Sequence, residues 1–205
     1  MMVVTKIEPV NKTRYKVYLD GQFAFALYKG ELSRFRLKED EELSDELFHK
    51  IKKEVVIKRA KLRAMHLLND MDRTEAELRQ KLKLGYCTED VIDAALDYVK
   101  GFGYIDDYRY AVHFIEIKRD SKSKKEICAA LVQKGVSSEQ IEIAMEECYE
   151  TGGEQETIRR LLAKKRYDIH TTDPAQVQKM YAFLARKGFR YQDIRQVVQY
   201  CDENT

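Results

Sequence analysis

The sequence predicts a mainly α-helical protein of three tandem three-helix repeats, which form a curved, elongated array behind a short N-terminal β-hairpin region. Three observations predict this class. Helix-favouring residues dominate after residue 44, and the only prolines are Pro9 and Pro174. Asp20-Gly21 lies between two alternating apolar runs, which is typical of a hairpin. An apolar pattern around a glycine recurs about every 50 residues, as stacked helical repeats require.

The first segment, residues 1–43, is the predicted β-hairpin region. Apolar and polar residues alternate from Lys16 to Phe25 around the Asp-Gly pair. This alternation predicts two or three short antiparallel strands over residues 3–28. A lone hairpin is marginally stable in water, so we expect it to pack against the helices that follow or to pair with another element.

A long helix is predicted to begin at Ser44. A serine at this position can cap the helix, and Asp45 and Glu46 follow in the first turn. The helix is expected to continue to about Asn69 with apolar residues at helical spacing. These residues are Leu47, Ile51, Val55, Leu62, Met65 and Leu68.

Capping signatures mark the start of four later helices. Each combines a capping side chain with a Glu or Gln three residues on, or with a proline at the first helical position. They are Thr74 with Glu77, Ser123 with Glu126, Ser137 with Gln140, and Asp173 with Pro174.

The internal repeat aligns on Gly85, Gly135 and Gly188, each predicted to end the second helix of its unit. Two apolar residues four apart precede each glycine, with one residue fewer between the pair and the glycine in the first unit. The pairs are Leu78 and Leu82, Ile127 and Leu131, and Met180 and Leu184. An apolar stripe follows each glycine: Val91, Ala94, Ala95 and Tyr98; Ile141, Ala144, Met145 and Cys148; Ile194, Val197, Val198 and Cys201.

This periodicity predicts the domain organisation. Residues 44–105 hold the long helix and the first three-helix repeat, residues 106–152 the second repeat, and residues 153–205 the third. Thr151-Gly152-Gly153 is expected to be a flexible joint. Asp106 and Asp107 are expected to cap a helix that begins at Tyr108.

Catalytic and metal-binding classes are not favoured. The chain has no Gly-x-Ser-x-Gly and no Walker-type motif, and Gly101-Phe102-Gly103 lacks the third glycine of a dinucleotide motif. The cysteines form no Cys-x-x-Cys pair and the histidines stand singly. We therefore expect no enzyme activity, no cofactor and no metal. The cysteines are Cys87, Cys128, Cys148 and Cys201, and the histidines are His49, His66, His113 and His170.

The location is also an expectation from sequence. No apolar run approaches the roughly 20 residues of a membrane span, and the N-terminus has no secretory signal pattern. We expect a cytoplasmic protein with no membrane association. A monomer is expected, because the pattern leaves no long exposed apolar patch.

Net charge is only +2, so any nucleic-acid surface must come from local clustering. Three basic clusters fall on or just after the first helix of a repeat, where we expect one stripe matched to a line of phosphates. Ordinary solvated surface is the alternative. The clusters are Lys58, Arg59, Lys61 and Arg63; Lys118, Arg119, Lys122, Lys124 and Lys125; and Arg159, Arg160, Lys164, Lys165 and Arg166. Acidic residues are segregated elsewhere, as Glu139, Glu142, Glu146, Glu147 and Glu150.

Tyrosine is abundant, with 13 residues. Several lie near basic residues, Tyr104 among them. Core packing or interface contact explains most of them better than base stacking does.

A longer motif carries a resemblance. It runs Gly103-Tyr104-Ile105-Asp106-Asp107-Tyr108-Arg109-Tyr110-Ala111, then Phe114 and Ile127-x-x-x-Leu131-x-x-Lys134-Gly135-Val136. Upstream, Arg73-Thr74-Glu75-x-Glu77-Leu78-x-x-Lys81-Leu82 fits the same pattern. Over residues 58–200 the chain resembles the RecX family of recombination regulators.

The resemblance implies three tandem three-helix repeats and no catalytic residues. It also implies binding to the RecA recombinase and its filament on single-stranded DNA. Such binding slows ATP hydrolysis and strand exchange, and so tempers recombination and the damage response. Contact with double-stranded DNA stays open, as does the choice between capping filament ends and binding along the filament.

The working hypothesis is that the array lies in the groove of a RecA–DNA filament and bridges adjacent protomers, with the basic stripe near DNA or an acidic filament surface. Two alternatives remain. A DNA-binding helical regulator acting without RecA would show steep salt dependence and a sequence preference on duplex DNA. A protein-only helical adaptor would bind nucleic acid weakly.

Overall fold

The computed structural model describes residues 1–149, 153–168 and 173–198. The chain divides into two compact units, Met1–Asp106 and a second that begins at Asp107. The mainly α-helical class with an N-terminal antiparallel strand region is confirmed. The four-part domain division stays a prediction. Several residues singled out above lie outside the described ranges: Glu150, Thr151, Gly152, His170 and Cys201.

The N-terminal strands form one antiparallel sheet in the order β3-β2-β1-β4. Asp20 and Gly21 connect β2 to β3 with φ of 47° and 81°, as a two-residue hairpin turn with two left-handed positions requires. The predicted hairpin is therefore confirmed. The strands are β1 Met2–Pro9, β2 Arg14–Leu19, β3 Gln22–Tyr28 and β4 Glu42–Leu43.

The sequence did not predict β4. It is two residues long and pairs Leu43 with Met2, so it carries no alternation to recognise. Between β3 and β4 lies the short helix α1, Lys29–Phe35. The buried face of the sheet, including Val17 and Phe25, shares a core with the long helix that follows. The hairpin thus gains the apolar partner that it needs in water.

The predicted long helix runs without a break from Asp45 to Asp70, in three parts. These are α2 Asp45–Ile51, a π-helical segment Lys52–Ile57, and α3 Lys58–Asp70. Ser44 caps it as expected, because its Oγ accepts a hydrogen bond from the Leu47 N–H at 3.2 Å. The π-helical segment has no counterpart in the prediction.

That segment changes which face of α3 is buried. A π turn holds one more residue than the α-helical register allows, so every later side chain rotates by about 100°. Ala60, Ala64 and Leu67 consequently face the core, whereas the expected core residue Leu62 is 59% exposed. Met65 is exposed as well, so the prediction was wrong for both residues.

The remaining helices form the predicted triplets, α3–α5, α6–α8 and α9–α11. All four capping signatures are present, with amide-to-side-chain distances of 3.0–3.3 Å. Helix α6 begins at Asp107, one residue before the predicted start. The bounds are α4 Glu75–Leu84, α5 Glu89–Gly101, α6 Asp107–Lys118, α7 Lys124–Gln133, α8 Ser138–Tyr149, α9 Glu154–Lys164, α10 Pro174–Arg186 and α11 Tyr191–Val198.

The turn after the second helix of each repeat needs one left-handed residue. Gly135 and Gly188 supply it with φ of 82° and 85°. In the first repeat, however, Gly85 has φ of −81° and Tyr86 takes the left-handed position with φ of 59°. Tyr86 lies four residues after Leu82, and Gly135 and Gly188 likewise lie four residues after the second apolar residue of their pairs. The left-handed residue therefore has the same spacing in all three units, which explains why Gly85 comes one residue early.

This shift corrects the alignment of α5. Counted from Tyr86, the buried residues Ile92 and Ala95 are equivalent to Ile141 and Ala144. Ala94, which the glycine alignment placed in the stripe, is only half-buried. Tyr86 itself is stabilised by cations, since its ring lies 5.3 Å from the Arg14 guanidinium and 4.8 Å from Lys16 Nζ.

Candidate nucleic-acid interface

The first basic cluster, on α3, divides into one structural arginine and three free cations. Arg59 donates from Nη1 to the Ala26 carbonyl at 3.1 Å, pairs with Glu31, and lies 4.7 Å from the Tyr28 ring. These contacts tie α3 to the end of the sheet. Arg59 therefore holds the fold together and is not available to a ligand.

Of the other three members, two are exposed and Lys61 is half-buried. Lys58 and Arg63 are exposed, and Lys61 Nζ lies 4.6 Å from the centroid of the Tyr98 ring. Within the part of the chain that the structure describes, none of the three forms an ion pair with an acidic side chain. Their charge is available to a ligand.

The second cluster spans the end of α6 and the start of α7. Arg119 donates from Nη1 to the Cys148 carbonyl at 3.1 Å, so part of its hydrogen-bonding capacity is used inside the protein. Lys124 Nζ lies 4.2 Å from the Tyr149 ring. Lys125 is exposed, whereas Lys118 and Lys122 are half-buried.

The third cluster lies on and just after α9. Arg159 pairs with Glu156 at 3.5 Å, and Arg160 pairs with both Glu156 and Asp120. The last three cations are exposed, and in the described ranges they form no ion pair with a carboxylate: Lys164, Lys165 and Arg166. The free charge of this cluster is thus at its C-terminal end.

The second and third clusters meet at the N-terminal half of α9. The Arg160–Asp120 pair joins them, and Thr157 Oγ1 donates to the Arg119 carbonyl at 2.6 Å. A cavity of about 280 Å³ at this point is lined by both acidic and basic groups. The Arg160–Asp120 pair was not predicted, because the two residues are 40 apart in the sequence. Glu156 is only three and four residues from Arg159 and Arg160, so those pairs were recognisable from helical spacing. A single stripe through all three clusters stays a prediction.

Ser123 forms hydrogen bonds with both the second and the third repeat. Its Oγ accepts from the Glu126 N–H at 3.2 Å and donates to the Lys187 carbonyl at 2.6 Å. Beside it, the Lys124 N–H donates to Glu154 Oε1 at 2.7 Å. The sequence predicted the cap but not its second bond, which crosses to the turn after α10.

Glu154 is buried at the start of α9, and burial raises the pKa of its carboxyl. The Lys124 N–H and the charges of Lys124 and Arg190 oppose this shift, while Asp193 adds to it. A carboxyl whose folded pKa is raised contributes stability at pH below its unfolded pKa, and loses that contribution as the pH rises through the folded pKa. Ionised Glu154 is therefore unfavourable at neutral pH.

We expect Glu154→Gln to raise the free energy of unfolding at neutral pH, because Gln keeps the oxygen acceptor for Lys124 and removes the charge. The gain should shrink as the pH falls through the raised pKa and disappear below the ordinary glutamate range. Urea unfolding over a pH series measures it, with the exposed Glu139→Gln as the matched control. A less stable Glu154→Gln at neutral pH contradicts this account.

Sequence reasoning missed an aromatic group at the end of α5. Tyr98 and Phe102 meet edge to face at 5.0 Å, and Phe102 and Tyr104 stack at 5.6 Å with an interplanar angle of 19°. Lys61 connects this group to the first basic cluster. The available signal was Phe102-Gly103-Tyr104 directly after a predicted helix end.

No helix within the described ranges has the length and apolar character needed to cross a bilayer. In residues 1–149, 153–168 and 173–198, no three His, Cys, Asp or Glu side chains are grouped so that they could hold a metal ion.

Comparison with known proteins agrees with the resemblance over nearly the whole chain. The regulatory protein RecX of Leuconostoc mesenteroides subsp. mesenteroides is 33% identical over 203 residues, covering 97% of this chain and 75% of that protein. The regulatory protein RecX of Clostridium beijerinckii is 30% identical over 206 residues, covering 97% and 95%. The chain belongs to the RecX family. It is therefore related to regulatory proteins.

The RecX domains follow the elements described above. The regulatory protein RecX N-terminal domain matches residues 2–44, which hold the sheet and α1. The first and third three-helix domains of RecX match residues 60–98 and 153–198. The resemblance stated from sequence is thereby confirmed.

Two solved RecX structures resemble this one. A crystal structure of regulatory protein RecX has a TM-score of 0.63 and 27% identity, covering 97% of this chain and 99% of that chain. RecX from Lactobacillus salivarius has a TM-score of 0.60 and 25% identity, covering 71% and 96%. The fold is that of RecX.

Proposed function

We propose that this protein is a negative regulator of RecA that binds the RecA filament on single-stranded DNA and lowers its ATPase, strand-exchange and damage-response activities. The observation that carries the proposal is RecX similarity over 97% of the chain. The resemblance of the motif around Asp106 to the RecX family implies RecA regulation. No enzyme activity is assigned to the protein, which acts by binding in the cytoplasm.

The free cations support a role at a DNA-bound filament. Exposed Lys and Arg that lack acidic partners can replace the counterions of phosphates, which makes binding favourable and salt-dependent. Five such cations lie in the first and third clusters: Lys58 and Arg63, and Lys164, Lys165 and Arg166. Lys61 also lacks an acidic partner, but it is half-buried against the Tyr98 ring. We place these residues, and not Arg59 or Arg160, against DNA or an acidic filament surface.

Inhibition follows if binding favours one filament state. A ligand shifts a conformational equilibrium only by its difference in affinity for the two states. A monomer lying in the filament groove and contacting adjacent protomers gains that difference when its contacts fit one arrangement of the protomers better than the other. ATP hydrolysis and strand exchange, which require passage between states, then slow down.

The test is the single-stranded-DNA-dependent ATPase rate of the cognate RecA, titrated with this protein at two salt concentrations. We expect inhibition well below one molecule per RecA, weakening at the higher salt. No inhibition at any ratio contradicts the proposal. Direct binding to duplex DNA would then favour a DNA-binding regulator acting without RecA, and weak binding to all nucleic acids would favour a protein-only adaptor.

A further inference from the structure

The aromatic group at the end of α5 is exposed to an unusual degree. Phe102 is 58% exposed and Tyr104 is 51% exposed, although aromatic side chains usually bury most of their area. We infer that Phe102 and Tyr104 are a stacking platform for the bases of single-stranded DNA. This inference rests on the proposed function and adds a specific contact site to it.

The platform is held in a defined geometry. The Tyr104 N–H donates to the Val99 carbonyl at 3.1 Å, and the Gly103 N–H donates to the Lys100 carbonyl at 2.8 Å. This pair of bonds is a helix C-cap whose central residue must be left-handed, and Gly103 has φ of 69°. The cap therefore fixes Tyr104 beside Phe102 before any ligand arrives, which reduces the entropy cost of binding.

The ring orientation suits a flat ligand. Phe102 and Tyr104 are 19° from parallel and both are more than half exposed, so a planar base that lies against one ring can be nearly parallel to the other as well. Tyr98 packs against Phe102 with an interplanar angle of 71°. Base stacking on aromatic side chains tolerates any base, because every base has a π face.

Two lysines of α3 lie on one side of the aromatic group. Lys61 lies against Tyr98, and Lys58 is three residues earlier on the same face of α3. Carboxylates are also close in sequence, namely Asp97 and Asp106. The surface is thus not strongly positive, so stacking should supply more of the local affinity than phosphate contacts do.

The surface fits a base better than it fits an apolar side chain of a protein partner. Protein hot-spot residues are typically anchored in well-packed pockets. Exposed aromatic side chains near lysines are the combination that single-stranded nucleic acid binders use.

Binding to oligonucleotides tests the inference. We expect the double variant Phe102→Ala/Tyr104→Ala to bind oligo-dT roughly 10- to 100-fold more weakly than the wild type, with an unchanged salt slope. The wild type should prefer oligo-dT to an abasic oligonucleotide of equal length, and the variant should lose that preference. Met71→Ala is the matched control, since Met71 is also 58% exposed and lies between Asp70 and Asp72. Equal binding of both oligonucleotides by the wild type overturns the platform.

A fluorescence experiment reports stacking directly. The chain has no tryptophan, so Phe102→Trp introduces a single tryptophan into the platform, whose emission can be excited at wavelengths that the 13 tyrosines do not absorb. We expect oligo-dT to quench its emission and the abasic oligonucleotide to leave it unchanged. Met71→Trp should not respond to either. Unquenched emission of Phe102→Trp in the saturated complex contradicts the inference.

The ATPase titration separates the two proposals. If the wild type inhibits RecA and Phe102→Ala/Tyr104→Ala binds oligo-dT as the wild type does, the platform is wrong and RecA regulation stands. If the double variant loses inhibition while both proteins bind oligo-dT and abasic DNA equally, the rings contact RecA, and the platform is again wrong. If the wild type does not inhibit RecA, the proposed function fails whatever the oligonucleotide results.

Discussion

A triple variant with Lys164→Glu, Lys165→Glu and Arg166→Glu is expected to lose most of its inhibition of the RecA ATPase. These side chains are exposed and form no ion pair within the described ranges, and the one aromatic contact is that of Lys165 Nζ, 5.1 Å from the Phe183 ring. Their charge is therefore available to a ligand. At about 1 kcal/mol for each lost contact, affinity for the RecA–DNA filament should fall on the order of 100-fold. The salt slope should fall by about one for each phosphate contact removed. Filament binding and ATPase titrations at several salt concentrations measure both.

The control for this variant must change net charge equally. Lys12, Lys29 and Lys50 are exposed lysines outside the three clusters, and their replacement by Glu should leave inhibition nearly intact. Arg159 and Arg160 are kept, because breaking their pairs with Glu156 and Asp120 would also disturb the fold. Equal inhibition by the triple variant and the wild type would remove the third cluster from the interface.

Gly188→Ala is expected to destabilise the second unit by about 2–4 kcal/mol. Part of this loss of stability comes from the left-handed backbone, because Gly188 has φ of 85°. The rest is overlap, because an added Cβ would lie 3.0 Å from Ser123 Oγ. The hydroxyl cannot withdraw without weakening its bonds to the Glu126 N–H and the Lys187 carbonyl. Denaturant unfolding followed by circular dichroism measures the loss.

Gly103→Ala measures by itself the destabilisation that comes from the left-handed backbone. Gly103 has φ of 69°, and an added Cβ would meet nothing within 4 Å. We expect only about 1–2 kcal/mol of destabilisation there. Equal effects of the two substitutions would show that the contact with Ser123 is unimportant.

Local signals predicted most of the elements. The hairpin at Asp20-Gly21 and the caps at Ser44, Thr74 and Ser123 depend on residues within a few positions of one another. Such features are decided by short-range chemistry, so they can be recognised before the fold is known.

The errors arose where the backbone departs from the regular register. A π-helical segment has no simple sequence pattern, so Leu62 and Met65 were assigned to the wrong face. The left-handed turn of the first repeat uses Tyr86, where a glycine was assumed. At Tyr86, the contacts with Arg14 and Lys16 support a local geometry that propensity alone disfavours.

The candidate surface was predicted only in outline. Sequence clustering identified the basic residues, but not which of them are already engaged. Arg59 finds its partner 28 residues away, and Arg160 finds Asp120 40 residues away. Which cations are free depends on chain topology, which clustering along the sequence does not contain.

The two bonds of Ser123 bear on how the protein unfolds. In a repeat protein, each unit can melt by itself when the coupling to its neighbour is weak. Here one buried hydroxyl completes the start of α7 and holds the turn after α10, and Lys124 and Glu154 add a second bond between the same repeats. Melting the third repeat would strip the cap from the second. The second and third repeats should therefore unfold as one cooperative block and protect their amides together from exchange with solvent.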